Sequence, residues 1–278
     1  MATRSKKKKT VQRKRTFRYT RWLHKPGCLL AVILALAAYA YVCWVLFVAP
    51  YNVRWKARYG NVDLPKGYSI HGIDISHHQG VIDWEDLSNA SLGGGPVAFI
   101  MMKATEGQTL LDDCFNDNFY QAGQWRYIRG VYHFFTPEAG TGRKQAQYYL
   151  RQVHLEDGDL PPILDIEQLG KLTRKQIRQE AKAWLDECEK AYGRTPIIYT
   201  YYKFKEQYLD GEEFDKYPYW IAHYYVKELG YKGEWKFWQH TDCGKLPGIK
   251  GDVDLDVYNG SMYDLRKQCL NNDEETDN

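Results

Sequence analysis

The sequence predicts an α/β chain: an irregular TIM-like (β/α) barrel of about eight strands, preceded by one transmembrane helix. Three observations predict it. Five short apolar runs are interleaved with helical patterns, as in parallel strands covered by helices. The last third holds further apolar runs with little room for helices between them, so the barrel should close irregularly. An uncharged apolar run of membrane-spanning length precedes all of this, directly after a basic block. A flat doubly wound sheet is the structural alternative, but no Gly-rich phosphate loop follows the first strand, which disfavours a nucleotide-binding version.

Residues 1–25 carry eleven Lys/Arg and no acid, and we assign 1–27 as a basic cytoplasmic tail. Residues 28–48 read CLLAVILALAAYAYVCWVLFV without a charge, long enough for a bilayer helix, with Trp44 and Tyr51 toward its outer end. The positive-inside tendency places the N-terminus in the cytoplasm and everything after Tyr51 on the far side of the cell membrane. The alternative is a cleavable signal peptide, because Ala38-Tyr39-Ala40 is an acceptable small-x-small site. The apolar run continues past that site to Val48, which favours a signal-anchor. Residues 49–68 read as a polar stalk, 69–264 as the folded domain, and 265–278 as a polar acidic tail.

In the domain, residues 69–75, 97–102, 130–135, 160–166 and 196–200 read as strands. Helical patterns follow four of them: at 83–87, with Asp83 as cap, at 112–125, at 141–153 and at 173–192. The last carries Ile177, Ala181, Trp184 and Leu185 on one stripe and ends at Gly193. Residues 219–223, 235–239 and 253–257 complete the strand set.

The formal net charge of +3 averages two unlike parts: outside the basic tail, 27 basic residues face 35 acidic ones. An acidic domain excludes a broad nucleic-acid-binding surface. The aromatic share of 15%, with 9 Trp and 23 Tyr, fits a ring-rich core or a carbohydrate cleft, since sugar C–H faces stack on aromatic faces. Cys114, Cys188, Cys243 and Cys269 follow the apolar run; disulfides and buried free thiols are both open. No Cys/His spacing suggests zinc, and the run Asp252, Asp254, Asp256 lacks the glycine of a calcium loop, Val257 standing in its place. No cofactor or metal is expected, and His71, His77 and His78 are read as structural or surface residues.

Three apolar runs meet carboxylates: Gly72-Ile73-Asp74-Ile75-Ser76, Ile163-Leu164-Asp165-Ile166-Glu167, and Gly251-Asp252-Val253-Asp254-Leu255-Asp256. The carboxyl ends of parallel barrel strands gather at one mouth, where active sites form. Alternation puts Asp165 and Glu167 on the same side and Ile166 toward the helices. Crowded, desolvated carboxyls cannot all ionise, and a protonated acid beside an ionised one is the pair glycosidic cleavage uses. Asp252 and Asp256 are read as turn formers or caps. Glu106 either contacts substrate or pairs with Lys103, and His133 faces either the mouth or the core.

These segments, with Lys103-Ala104-Thr105-Glu106-Gly107, Gly130-Val131-Tyr132-His133-Phe134, Pro196-Ile197-Ile198-Tyr199-Thr200, Tyr219-Trp220-Ile221-Ala222, Trp238-Gln239 and Val253-Asp254-Leu255, resemble glycoside hydrolase family 25, the N-acetylmuramidase lysozymes. The resemblance runs over roughly residues 70–260. It implies a metal-free enzyme cutting the β-1,4 bond from N-acetylmuramic acid to N-acetylglucosamine in peptidoglycan. By the same resemblance Glu167 is the general acid, Asp165 assists it, and Asp74 and Asp254 are the other site carboxylates. Asp256 stands where the family often has Asn. Tyr132, Tyr199, Trp220 and Trp238 are candidates for sugar stacking, each with core packing as the alternative. The competing functions are a membrane-tethered, non-catalytic peptidoglycan-binding protein and a chitin-type hydrolase; oligomeric state is not legible.

Overall fold

The computed structural model describes residues 26–48 and 62–270. The chain divides into two units, residues 1–53 and 54–278. In the first, an α-helix runs over Pro26–Cys43 and continues as a π-helical turn over Trp44–Val48. Its stretch Leu29–Phe47 has a mean hydropathy of 2.5, so it is long and apolar enough to cross a membrane. The basic residues 1–25, the linker 49–61 and the acidic residues 271–278 lie outside the described residues.

The second unit is a closed barrel. Its strands are β1 (Ile70–Ile75), β2 (Ser91–Leu92), β3 (Gly95–Glu106), β4 (Leu110–Leu111), β5 (Ile128–Phe134), β6 (Ile163–Asp165), β7 (Ile197–Tyr201), β8 (Tyr219–Ala222), β9 (Phe237–Gly244) and β10 (Val253–Tyr258). Eight of these close the barrel in the order β1, β3, β5, β6, β7, β8, β9, β10, with β10 returning to β1; β2 and β4 are two-residue appendages of β3. Every neighbouring pair in the barrel from β1 through β9 is parallel, whereas β10 is antiparallel to both β9 and β1.

Five of the strands lead into helices: Trp84–Ser88, Phe115–Gln124, Gly142–Gln152, Arg174–Tyr192, and the pair Tyr202–Tyr208 and Glu212–Asp215. The long helix begins with a capping box at Thr173 and Gln176 and ends at Gly193, whose left-handed φ of 65° suits a residue without Cβ. The expected five βα units and irregular closing third are therefore present. The short helices at 202–215 have no strong sequence signal, because Tyr and Lys interrupt any apolar stripe.

Side-chain alternation sorts the core into two layers. Ile73, Ile75, Leu164, Ile166, Ile198 and Ile221 face outward and meet Ile177, Ala181, Trp184 and Leu185 of the long helix and its neighbours. Phe99, Met101, Ile163, Ile197, Trp220, Phe237 and Tyr258 fill the barrel itself. Gly72 makes room for this filling, since a Cβ there would sit 2.3 Å from the Phe99 ring.

The structure corrects two expected boundaries. Residues 265–270 do not belong to an acidic tail: a helix spans Met262–Gln268, and Leu265, Cys269 and Leu270 are buried against the barrel floor. Residues 62–68 are not stalk, because Val62, Leu64 and Tyr68 pack on the core and Tyr68 meets the rings of Trp235 and Trp238. In both places isolated apolar residues among polar ones find a groove that no local periodicity announces. Cys43, Cys114, Cys188 and Cys269 are free thiols.

Candidate active site

A cavity of about 240 Å³ opens at the carboxyl ends of the parallel strands. Asp74, Asp165, Glu167 and Asp254 all line it, together with Tyr132, Tyr199 and Trp220. Strand alternation delivers them. On β6, Ile163 and Asp165 face inward and Leu164 outward, so Glu167, two residues further, returns to the inner side.

β10 reaches the cavity in the opposite direction. Being antiparallel, it brings its amino end to the mouth, and Asp254 lies directly across from Asp74 in register. Asp256 then falls one inward position deeper, opposite Gly72. This corrects its reading as a turn former. It is wholly buried in mid-strand, its Oδ1 accepts a 2.7 Å hydrogen bond from Trp220 Nε1, and its carboxyl also interacts with that of Asp74. Strand direction was the missing information, since the alternation of 252, 254 and 256 is the same read either way.

Gln239 is the hub on the other side. Its Nε2 donates to Asp74 Oδ2 at 2.5 Å, and its Oε1 accepts from Tyr199 (2.7 Å) and Tyr224 (2.6 Å). Gln239 and Tyr224 were not picked out as site residues. The parity of β9, with Phe237 inward, carried the signal for Gln239. Trp238 is corrected for the same reason: it faces the outer layer, is fully buried there, and donates from Nε1 to the His223 carbonyl at 2.9 Å. Trp220, by contrast, lines the cavity with its ring centroid 4.3 Å from Tyr199 and 6.1 Å from Tyr132.

Glu106 does not line the cavity; its carboxylate holds Lys103 Nζ at 2.6 Å, and Lys103 does line it. His133 belongs to the core, its Nδ1 paired with Thr105 Oγ1 at 2.7 Å and its Nε2 with Gln145 Oε1 at 3.0 Å. Burial pushes its pKa down to about 4, so it is neutral near pH 7. His77 is tied to Asp112 at 2.6 Å, and no metal-holding group of three His, Cys, Asp or Glu occurs among the described residues.

Electrostatics sets the character of the site. Burial is the first cause raising the pKa of every one of the five acids, and like charge adds to it in four. Asp74 is held well above the ordinary carboxylate range by burial, then by Asp256 and Glu167, against the opposing hydrogen bond from Gln239. Asp165 is held well above it by burial, then by Glu167 and Asp74. Burial raises Glu167, with the Tyr199 hydroxyl pulling the other way. Asp254 is pushed up to about 9, and Asp256 is raised by burial against its bond from Trp220. The cluster therefore holds protons more tightly than solvent-exposed carboxyls would, which is the setting an acid catalyst needs.

The family model of the glycosyl hydrolases family 25 matches residues 73–249. YegX of Escherichia coli K12 is 39% identical over 206 residues, 74% of this chain and 75% of that protein. Lysozyme M1 of Streptomyces globisporus is 32% identical over 212 residues, 70% of each chain. Among solved structures, the bacterial lysozyme from Streptomyces coelicolor superposes with a TM-score of 0.66 at 30% identity, covering 73% of this chain and 98% of that one.

Proposed function

The chain belongs to glycosyl hydrolase family 25 and is a glycoside hydrolase, and from that premise we propose that it is a lysozyme with Glu167 as the general acid. Its substrate is peptidoglycan, and the bond cut is the β-1,4 link from N-acetylmuramic acid to N-acetylglucosamine. One observation carries the residue assignment. Glu167 is the more exposed member of the Asp165/Glu167 pair, and it stands in a cavity whose other acids keep protons in the cluster.

A glycosidic oxygen entering the cavity meets Glu167 first, and Glu167 protonates it as the bond breaks. Asp165, nearly buried behind it, orients and polarises the 2-acetamido group at the oxocarbenium-like centre. Asp74 and Asp254 face each other across β1 and β10 and tune the charge beneath that group. Tyr132, Tyr199 and Trp220 offer ring faces and edges to the sugar.

The apolar helix is read as an anchor. Leu29–Phe47 crosses the membrane, the basic residues ahead of it stay in the cytoplasm, and the barrel works on the wall side. Labelling of single introduced cysteines from outside intact cells tests that orientation: a site at the exposed position 81 should react and one at position 10 should not.

Mass spectrometry of muropeptides after digestion by the full chain in mild detergent tests the activity. Products with N-acetylmuramic acid at the reducing end are expected. Equal cleavage of chitin oligomers would move the substrate to the chitin class, and binding to walls that stay intact would leave a non-catalytic binder.

A further inference from the structure

Burial bears harder on Asp165 than on Glu167, since Asp165 is only 5% exposed and its Oδ1 has no hydrogen-bond partner. Desolvation alone would therefore leave the pair's last proton on Asp165, the carboxyl a glycosidic oxygen reaches less readily. Something must oppose this for Glu167 to be the donor.

Among the described residues, Lys103 is the only lysine or arginine lining the cavity. β3 alternates Phe99 and Met101 inward, which carries Lys103 to the inner side just below the mouth. Its ammonium lies 5.0 Å from the centroid of the Phe134 ring, and Phe134 is the register partner of Asp165. The side chain is only 11% exposed, and Glu106 fixes its Nζ from the rim at 2.6 Å.

The geometry points to Lys103 as a positioning residue that holds the negative charge on Asp165 and so leaves the transferable proton on Glu167. This rests on the lysozyme reading given above. Lys103 is not in the path of the glycosidic oxygen; it acts through Asp165. Glu106 works against it, drawing the ammonium outward and adding its own negative charge.

The groups around Asp165 agree with this assignment. Asp74 faces it from β1, His78 from the turn after β1, Tyr132 from β5, Glu167 from just past the end of β6, Tyr199 from β7 and Asp254 from β10, with Tyr224 and Asp256 behind them. Apart from His78, all of these are acids or phenols. Lys103 opposes them by lowering the pKa of Asp165, Glu106 adds to them, and burial keeps the net direction upward.

Two readouts on the full chain test the role. The first is the carboxyl carbon NMR shift of Asp165 against pH, which needs no substrate. The second is the acidic limb of kcat/KM on solubilised, uncrosslinked glycan strands, where Asp165 must be ionised. Lys103→Met should move both upward by about one pH unit. Glu106→Gln should move both downward, and Lys103→Arg should restore the wild-type position. Two results would overturn the proposal: an unmoved Asp165 titration in Lys103→Met, or shifts of the same sign in Lys103→Met and Glu106→Gln. If Lys103→Met does not fold, Glu106→Gln decides alone, downward in favour and unmoved or upward against. A wild-type chain that releases no muropeptides fails the lysozyme reading instead, and the NMR titration still judges the lysine.

Discussion

The two ends of the barrel handle buried charge in opposite ways. At the amino ends of the strands, Arg129 is 7% exposed and fully matched. Its Nε and Nη2 donate to Asp159 at 2.6 and 2.9 Å, Nη2 also reaches Glu156 at 2.7 Å, and the guanidinium lies 3.9 Å from the Phe119 ring centroid. The backbone joins in: Leu160 N donates to the Arg129 carbonyl and Leu270 N to the Asp159 carbonyl, which pins the C-terminal helix to the floor. At the carboxyl ends, Asp74, Asp165, Glu167, Asp254 and Asp256 face one another with Lys103 as the sole ammonium or guanidinium lining their cavity among the described residues. The open groove at the paired end is larger, about 710 Å³ against 240 Å³. Size therefore does not mark the chemistry. Unpaired acid does: burial raises the carboxyls at both ends, but Arg129 opposes that rise at Asp159, whereas the cavity acids raise one another further.

The largest effects should separate the two ends cleanly. Glu167→Gln removes the proposed donor without removing volume, so glycan cleavage should fall on the order of 10³-fold while the thermal melt stays within a degree or two. Arg129→Met should do the reverse. Leaving Asp159 buried without its partner should cost about 3 kcal/mol, read as a melting temperature lower by roughly 10 °C, with cleavage per folded molecule unchanged.

A smaller effect concerns pH. The Asp256 carboxyl is raised in the folded chain, so the folded state keeps its proton where the unfolded chain has lost it. Its stabilising contribution is complete below the ordinary carboxylate range near pH 4 and drains away as pH rises toward the folded value. Asp256→Asn still accepts from Trp220 but carries no such liability. Its melting temperature should match wild type near pH 4 and exceed it by a margin that grows toward pH 8.

The smallest contrast lies between two tryptophans. Trp238→Phe loses a buried hydrogen bond and some packing in the outer layer, a cost of about 1–2 kcal/mol with KM unchanged. Trp220→Phe alters the cavity wall and should raise KM for glycan strands. The two melts and KM values, measured together, check the assignment of inner and outer faces.

Much of this was legible in the sequence because periodicity reports which face a residue occupies. The run from Ile163 to Glu167 placed its acids on one side, and the stripe Ile177, Ala181, Trp184, Leu185 placed the long helix on the barrel. What escaped depended on strand direction or on partners distant in sequence. The reversal of β10 put Asp256 inside the barrel, and nothing local encodes the direction of a strand whose neighbours are β1 and β9. Trp238 drew attention as an aromatic residue, while its neighbour Gln239 had the inward parity. Val62, Leu64 and Leu270 read as tail or stalk because single apolar residues carry no period. Lys103 was seen only as the possible mate of Glu106, since its place among the acids exists only once β3 lies beside β5 and β5 beside β6.

The central claim is that a proton retained at position 167 drives glycan cleavage. The most direct measurement compares muropeptide release by the wild-type chain and by Glu167→Gln, with thermal melts of both. The account predicts products ending in N-acetylmuramic acid from the first, none above background from the second, and superimposable melts. Release by Glu167→Gln at a rate near that of wild type would contradict it.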